Sequence, residues 1–188
     1  MKKFAGKGVY GAVAIGRISI FKKKDLYVKR GHRNDTAGEI KRVECAKNET
    51  REQIKKLYEK ALKEVGEANA QIFEVHMMML DDEDYNGSIE NIIETQKVNA
   101  EYAIAVTADH FAEMFAAMDD AYMQARSADV KDISNRMIAN LMGQKEENNA
   151  SEDKVIICAD DLAPSETVTL DKDKVLAFVT AYGSSNSH

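Results

Sequence analysis

The side chains best suited to chemistry are few, and one stands in an unusual setting. His188 follows Gly183-Ser184-Ser185-Asn186-Ser187, a run of small residues. Near neutral pH an imidazole keeps an unprotonated nitrogen that can attack phosphorus. Small neighbours let a bulky donor approach, and loop amides can hold phosphate oxygens. The alternative is a terminal histidine without chemistry. His76 lies in Gln71-Ile72-Phe73-Glu74-Val75-His76-Met77-Met78-Met79-Leu80, where a histidine among Phe and Met at helical spacing reads as packing. The Met cluster is either core or an adaptable docking surface, and not all four of residues 77–80 can face one way on a helix. Arg126 carries a guanidinium suited to an anionic group, or to an ion pair with Asp129 or Glu74. Glu67, Asp82, Glu83 and Asp84 form a solvated face, a rim that steers a basic partner, or a metal site. Cys45 and Cys158 are far apart and match no metal spacing.

The elements that must position these groups differ along the chain. Gly6, Gly8, Gly11 and Gly16 precede Ile18-Ser19-Ile20-Phe21, which predicts turns leading into a short strand. Residues 35–142 contain no proline, and glycine only at Gly38, Gly66 and Gly87. Asn34, Asp35 and Thr36 offer N-caps, with Glu39 placed for a capping box on Thr36. Ile40, Val43, Ala46, Thr50, Ile54, Leu57, Ala61 and Val65 form one stripe of a long amphipathic helix. Gly66 predicts a stop or kink. Ala70, Phe73, Met77 and Leu80 form a second stripe, and Asn86-Gly87-Ser88 reads as a turn. Helical patterning covers about 89–118 and 121–142, with Gly143 as a C-terminal cap. Val155–Ala159 and Val175–Val179 are continuous apolar runs typical of buried strands. Between them Pro164 opens a segment in which Ser165 can cap a short helix.

Composition narrows the class. The chain is 44% hydrophobic and 31% charged, with one Pro, no Trp and nine Met, which fits a helix-rich globular protein rather than a disordered one. A net charge of −6 argues against nucleic acid as a partner. No apolar run is long enough to insert in a membrane, and the basic Met1-Lys2-Lys3-Phe4 start lacks the apolar stretch of a signal peptide. Two reduced thiols and no leader predict a cytoplasmic protein.

Four segments together are specific. Ile72-Phe73-Glu74-Val75-His76 followed by Met and acidic residues resembles the I-F-E-x-H signature of enzyme I of the bacterial phosphoenolpyruvate:sugar phosphotransferase system. Met118-Asp119-Asp120-Ala121-Tyr122, continuing through Arg126, Asp129 and Asp132, resembles that family's M-D-D-x-Y-x-x-x-R-x-x-D-x-x-D segment. Asp161-Leu162-Ala163-Pro164-Ser165-Glu166-Thr167 resembles its D-L-x-P-S-E-T run. Thr180-Ala181-Tyr182-Gly183-Ser184-Ser185-Asn186-Ser187-His188 resembles its active-site loop, with Ala181 and Ser184 in place of the usual Asp and second Gly.

The resemblance covers about the first third of a full enzyme I. It implies an α/β swivelling phosphohistidine domain, truncated at His188, with an inserted all-α domain that binds the histidine-containing phosphocarrier protein. The expected boundaries are 1–22 plus 144–188 for the α/β part and 23–143 for the helical part. His188 is then the phosphorylated residue and Thr167 orients its ring. Glu67, His76, Met78, Met79, Glu83, Asp84 and Arg126 belong to the carrier-docking face. Phosphoenolpyruvate and Mg2+ are bound by a C-terminal barrel outside this chain, so no cofactor and no metal are expected here. A second reading is a docking module without chemistry.

Overall fold

The computed structural model describes residues 6–9, 11–22, 26–144 and 153–182. His188 and the residues from 183 onward lie outside these. Contacts divide the chain into two units, a small parallel sheet and a helical bundle.

The sheet unit falls within Met1–Lys23, Asn149–Leu162 and Leu170–His188. Its strands are β1 (Arg17–Ile20), β2 (Val155–Ala159) and β3 (Val175–Thr180), in spatial order β1-β2-β3. Both pairings are parallel, with Ile18 opposite Ile156 and Ile157 opposite Phe178. Parallel neighbours require long crossovers. The helical bundle supplies the first of these and a short helix the second. Both apolar runs expected as strands are strands, but the expected burial is not met: only Ile157 of β2 is buried, and Leu176, Phe178 and Val179 of β3 are exposed.

The helical unit comprises Lys24–Asn148 and Ala163–Thr169. It contains α1 (Thr36–Glu64), α2 (Glu67–Leu80), α3 (Glu83–Gln96), α4 (Ala100–Ala116), α5 (Ala121–Leu141) and the single turn and a half of α6 (Pro164–Thr169). Residues 163–169, expected in the α/β part, thus group with the bundle, because α6 packs on α1 and Val168 meets the bundle core.

The α1 stripe is buried through its middle, where Val43, Ala46, Thr50, Ile54, Leu57 and Ala61 face the core, whereas Ile40 is half-buried and Val65, at the helix end, is exposed. Thr50 carries a hydroxyl inside that face, and Asn140 of α5 donates to it at 2.9 Å. Phe73, Leu80, Ile89, Ile93, Ile104, Ile133 and Met137 fill the centre. Burial of such side chains stabilises by about 1.5–3 kcal/mol each.

Caps set the helix ends. Asp35, rather than Thr36, caps α1 and accepts from the Gly38 amide at 2.9 Å. Glu39 is therefore free of the expected capping box. It points inward, accepts from the Ala100 amide at 2.7 Å and so caps α4 from outside. Gly66 separates α1 from α2 at φ +87°, a conformation that suits a residue without a Cβ. After α5, Gly143 adopts φ +65°, and the amides of Gly143 and Gln144 bond to the carbonyls of Asn140 and Ala139. That is a Schellman ending.

Two further expectations fail. Asn86-Gly87-Ser88 is not a turn but lies inside α3. Asp82 caps that helix through the Tyr85 amide, and burial of Tyr85, Ile89 and Ile93 on one face outweighs the weak propensity of Gly87. The run 89–118 is not continuous either. It breaks at Lys97, which adopts φ +51° and ends α3. There His32 bridges Val98, and the Gly31 amide donates to Asn99 Oδ1 at 2.6 Å.

Candidate docking face and phosphotransfer segment

Helix α2 presents two kinds of residue. Its buried stripe directs Phe73 and His76 inward, and Leu80 with them. Met78, a third of a turn and more away, is 73% exposed, while Met77 and Met79 are half-buried against the core. The ambiguous Met cluster is therefore divided: Leu80 is core and Met78 is surface. Glu67 is exposed in the first turn of α2, and Glu83 and Asp84 are exposed in the first turn of α3. Carboxylates there are favoured by the partial positive charge of a helix N-terminus. The rest of the acidic run is occupied structurally. Asp81 pairs with Arg51 and Lys47, and Asp82 is the α3 cap.

Arg126 and His76 were expected on a docking face. The structure places them beneath the surface, 5% and 1% exposed. Arg126 Nη1 donates to Asp129 Oδ2 at 2.7 Å, which selects Asp129 over Glu74 as its partner. The ring of Tyr122 covers the guanidinium, with the centroid 4.3 Å from Cζ. Asp129 Oδ1 lies 3.2 Å from His76 Nε2, and His76 Nδ1 is 3.9 Å from Asp132 Oδ2. Asp132 Oδ1 accepts from the Ser165 hydroxyl at 3.0 Å. The edge of Phe73 packs against the imidazole. The result is a line of polar groups between α5 and its neighbours: Tyr122, Arg126, Asp129, His76, Asp132, Ser165. Arg126 is compensated by its hydrogen bond to Asp129, whereas His76 Nε2 and Arg126 Nε are buried without a hydrogen bond of their own.

Sequence reasoning placed Asp132 in a motif without giving it a role, and assigned Ser165 to a cap. The 126, 129, 132 spacing puts three charged residues near one face of α5, and that was the available signal. Thr167 is half-buried on α6, and its hydroxyl donates to the Pro164 carbonyl at 2.8 Å. Glu166 returns to the Ala163 amide at 2.7 Å, closing the start of the helix.

Two other polar groups are shifted by their surroundings. Burial resists ionisation of Glu101, but hydrogen bonds from Arg42 and from Asn99, the latter at 2.7 Å, outweigh it and hold the carboxyl below its ordinary range. Burial pushes the Tyr85 phenol up to about 12. Its hydroxyl meets Ser134 Oγ at 2.6 Å, and Ser134 itself donates to the Val130 carbonyl, so Tyr85 is the donor.

Among the described residues, no group of three or more His, Cys, Asp or Glu side chains is placed to hold a metal ion. No described helix is long and apolar enough to cross a membrane.

Comparisons with known proteins agree with this architecture. The family model described as PEP-utilising enzyme, N-terminal, matches residues 5–126, and the mobile-domain model of PEP-utilising enzymes matches residues 151–188. A phosphoenolpyruvate-protein phosphotransferase of Listeria monocytogenes is 37% identical over all of this chain, which covers 33% of that protein. A solution structure of Enzyme I (nEIt) superposes with a TM-score of 0.74 at 34% identity, over 88% of this chain and 68% of the other. The N-terminal domain of Enzyme 1 - Nitrogen shares the fold, with a TM-score of 0.66 at 24% identity over 95% and 74% of the two chains. The chain spans about a third of the length of the curated relatives it matches. The resemblance carried by the four motifs is thereby established, and the chain belongs to the family of PEP-utilising enzymes, among the phosphoenolpyruvate-protein phosphotransferases known as enzyme I.

Proposed function

We propose that this chain carries the phosphohistidine segment and the carrier-docking bundle of a phosphoenolpyruvate-protein phosphotransferase in the cytoplasm. In this reading a nitrogen of His188 attacks the phosphorus of phosphoenolpyruvate. The P–O bond to the enol oxygen breaks, and the released enolate takes a proton to become pyruvate. The histidine of the phosphocarrier protein then attacks the phosphohistidine, the P–N bond breaks, and His188 returns to its resting state. Thr167 is the hydroxyl expected to orient the ring. Phosphoenolpyruvate and Mg2+ are expected on the part of the longer protein outside this chain.

The observation that carries the docking half is the exposed Met78 close in sequence to the exposed carboxylates Glu67, Glu83 and Asp84. A soft apolar contact rimmed by negative charge suits a basic, small partner. His76 and Arg126 serve that face from below, as the groups that hold α5 to α2.

The test is to map acid-labile phosphate on the longer protein by peptide mass spectrometry. Phosphate on His188, lost in His188→Ala with carrier binding kept, is the expected result. Label on His76 or His110 overturns the assignment. Carrier binding without any label leaves the bundle as a docking module alone. His76 is a poor competitor, since 1% exposure leaves a donor no path to its nitrogens.

A further inference from the structure

Helix α6 is too short to hold itself. Six residues close few internal hydrogen bonds, and isolated helices of that length are not stable in water. It nevertheless keeps a defined place on the bundle although its neighbours in sequence are strands of the other unit. Three contacts account for that. The first two are general: α6 packs on α1, and Val168 meets the bundle core. The third is specific. Ser165 is 1% exposed, and its hydroxyl donates to Asp132 Oδ1 at 3.0 Å across a separation of 33 residues. The other oxygen of Asp132 faces His76, which is shared with Asp129.

We propose that Asp132 is a positioning residue of the phosphotransfer reaction: through the buried Ser165 hydroxyl it fixes on the bundle the turn that carries Thr167. The inference rests on the proposed role of Thr167 beside the phosphorylated histidine. Thr167 is two positions from Ser165, so the anchor sets where its hydroxyl stands. In the structure that hydroxyl is returned to the Pro164 carbonyl within the same turn. The turn as a whole, rather than the side chain alone, therefore defines its location. His76 acts at one remove, by limiting how Asp132 can turn away from Ser165.

Chemistry separates the hydrogen bond from mere charge. Asp132→Asn keeps an oxygen that can accept from Ser165, whereas Asp132→Ala and Ser165→Ala each remove the bond. A partly buried hydrogen bond of this kind is worth roughly a two- to tenfold change in a local equilibrium. Amide hydrogen exchange on this chain should therefore quicken about two- to tenfold at residues 163–169 in Asp132→Ala and Ser165→Ala, with α4 amides unchanged. Asp132→Asn should stay near the parent.

In the longer protein the two anchor-breaking variants should lower kcat for transfer from phosphorylated carrier, leave KM for the carrier unchanged, and be matched by near-parent turnover in Asp132→Asn. Unchanged exchange at residues 163–169 overturns the anchor. Faster exchange with unchanged kcat overturns the positioning role. Exchange is measured without phosphate, so label found away from His188 would instead refute the phosphotransfer reading while leaving the anchor standing.

Discussion

The ring of Tyr122 roofs the guanidinium of Arg126 at 4.3 Å, with the tyrosine 59% exposed and the arginine almost sealed. A residue expected to meet a partner directly is thus held one layer down. Its charge is committed to Asp129 and its face to an aromatic ring. Cation–π contact and a charge-assisted hydrogen bond together offset the desolvation of the guanidinium.

Arg126→Ala should consequently be a stability mutation. It leaves Asp129 buried beside His76 with its main counter-charge gone. Breaking one side of a buried pair costs about 3–5 kcal/mol. Urea unfolding followed by circular dichroism measures this. A loss below about 0.5 kcal/mol, the range of ordinary surface changes, would show that Arg126 is solvated in solution.

Helix α2 supplies a matched pair of truncations. Phe73→Ala should destabilise by about 3–5 kcal/mol, because a fully buried ring leaves a cavity. Met78→Ala should change stability by less than about 0.5 kcal/mol and weaken binding of the phosphocarrier. Thermal melts and calorimetric titration read the two effects separately. Equal melting losses in both variants would contradict the division of the Met cluster.

Reversing Glu83 and Asp84 to Lys should slow association with the carrier and flatten its dependence on salt, since steering acts through exposed charge. Both residues sit in the first turn of α3, so a few tenths of a kcal/mol of helix stability should be lost as well. Stopped-flow association at several ionic strengths decides it. An unchanged salt slope would remove these residues from the docking face.

Two pH limbs follow from the buried ionisable groups. Glu101 titrates lower folded than the ordinary 4.5, so its contribution is present above 4.5 and lost as pH falls through the lower folded value. Glu101→Gln should be less stable at pH 7 and lose less on acidification. Tyr85 is raised from 10.0 to about 12, so its contribution is present below pH 10 and lost as pH rises toward 12. Tyr85→Phe should flatten that alkaline limb. Urea unfolding across pH 3 to 11 tests both, and parallel curves for parent and variant would refute the corresponding assignment.

The amino-acid sequence by itself determined most of the helical skeleton and the family. The stripe from Val43 to Ala61, the interruption at Gly66 and the ending at Gly143 are local patterns, set by a 3.6-residue period and by backbone freedom, and they hold in the structure. So do the two apolar runs that became β2 and β3, while the family read from the four motifs is borne out by the comparisons with known proteins. The tertiary structure alone decided the rest. The break at residues 97–99 depends on Gly31, 68 positions from Asn99, and α3 runs through Gly87 because Tyr85 and Ile89 find a core to fill. The pairing of Arg126 with Asp129 was legible at its i,i+3 spacing, but that His76 of α2 would come to lie beside the same carboxylate was not. Helix α6 belongs to the bundle for the same reason: a hydroxyl and a carboxylate 33 residues apart meet only after α5 has packed, and burial then makes that single bond matter.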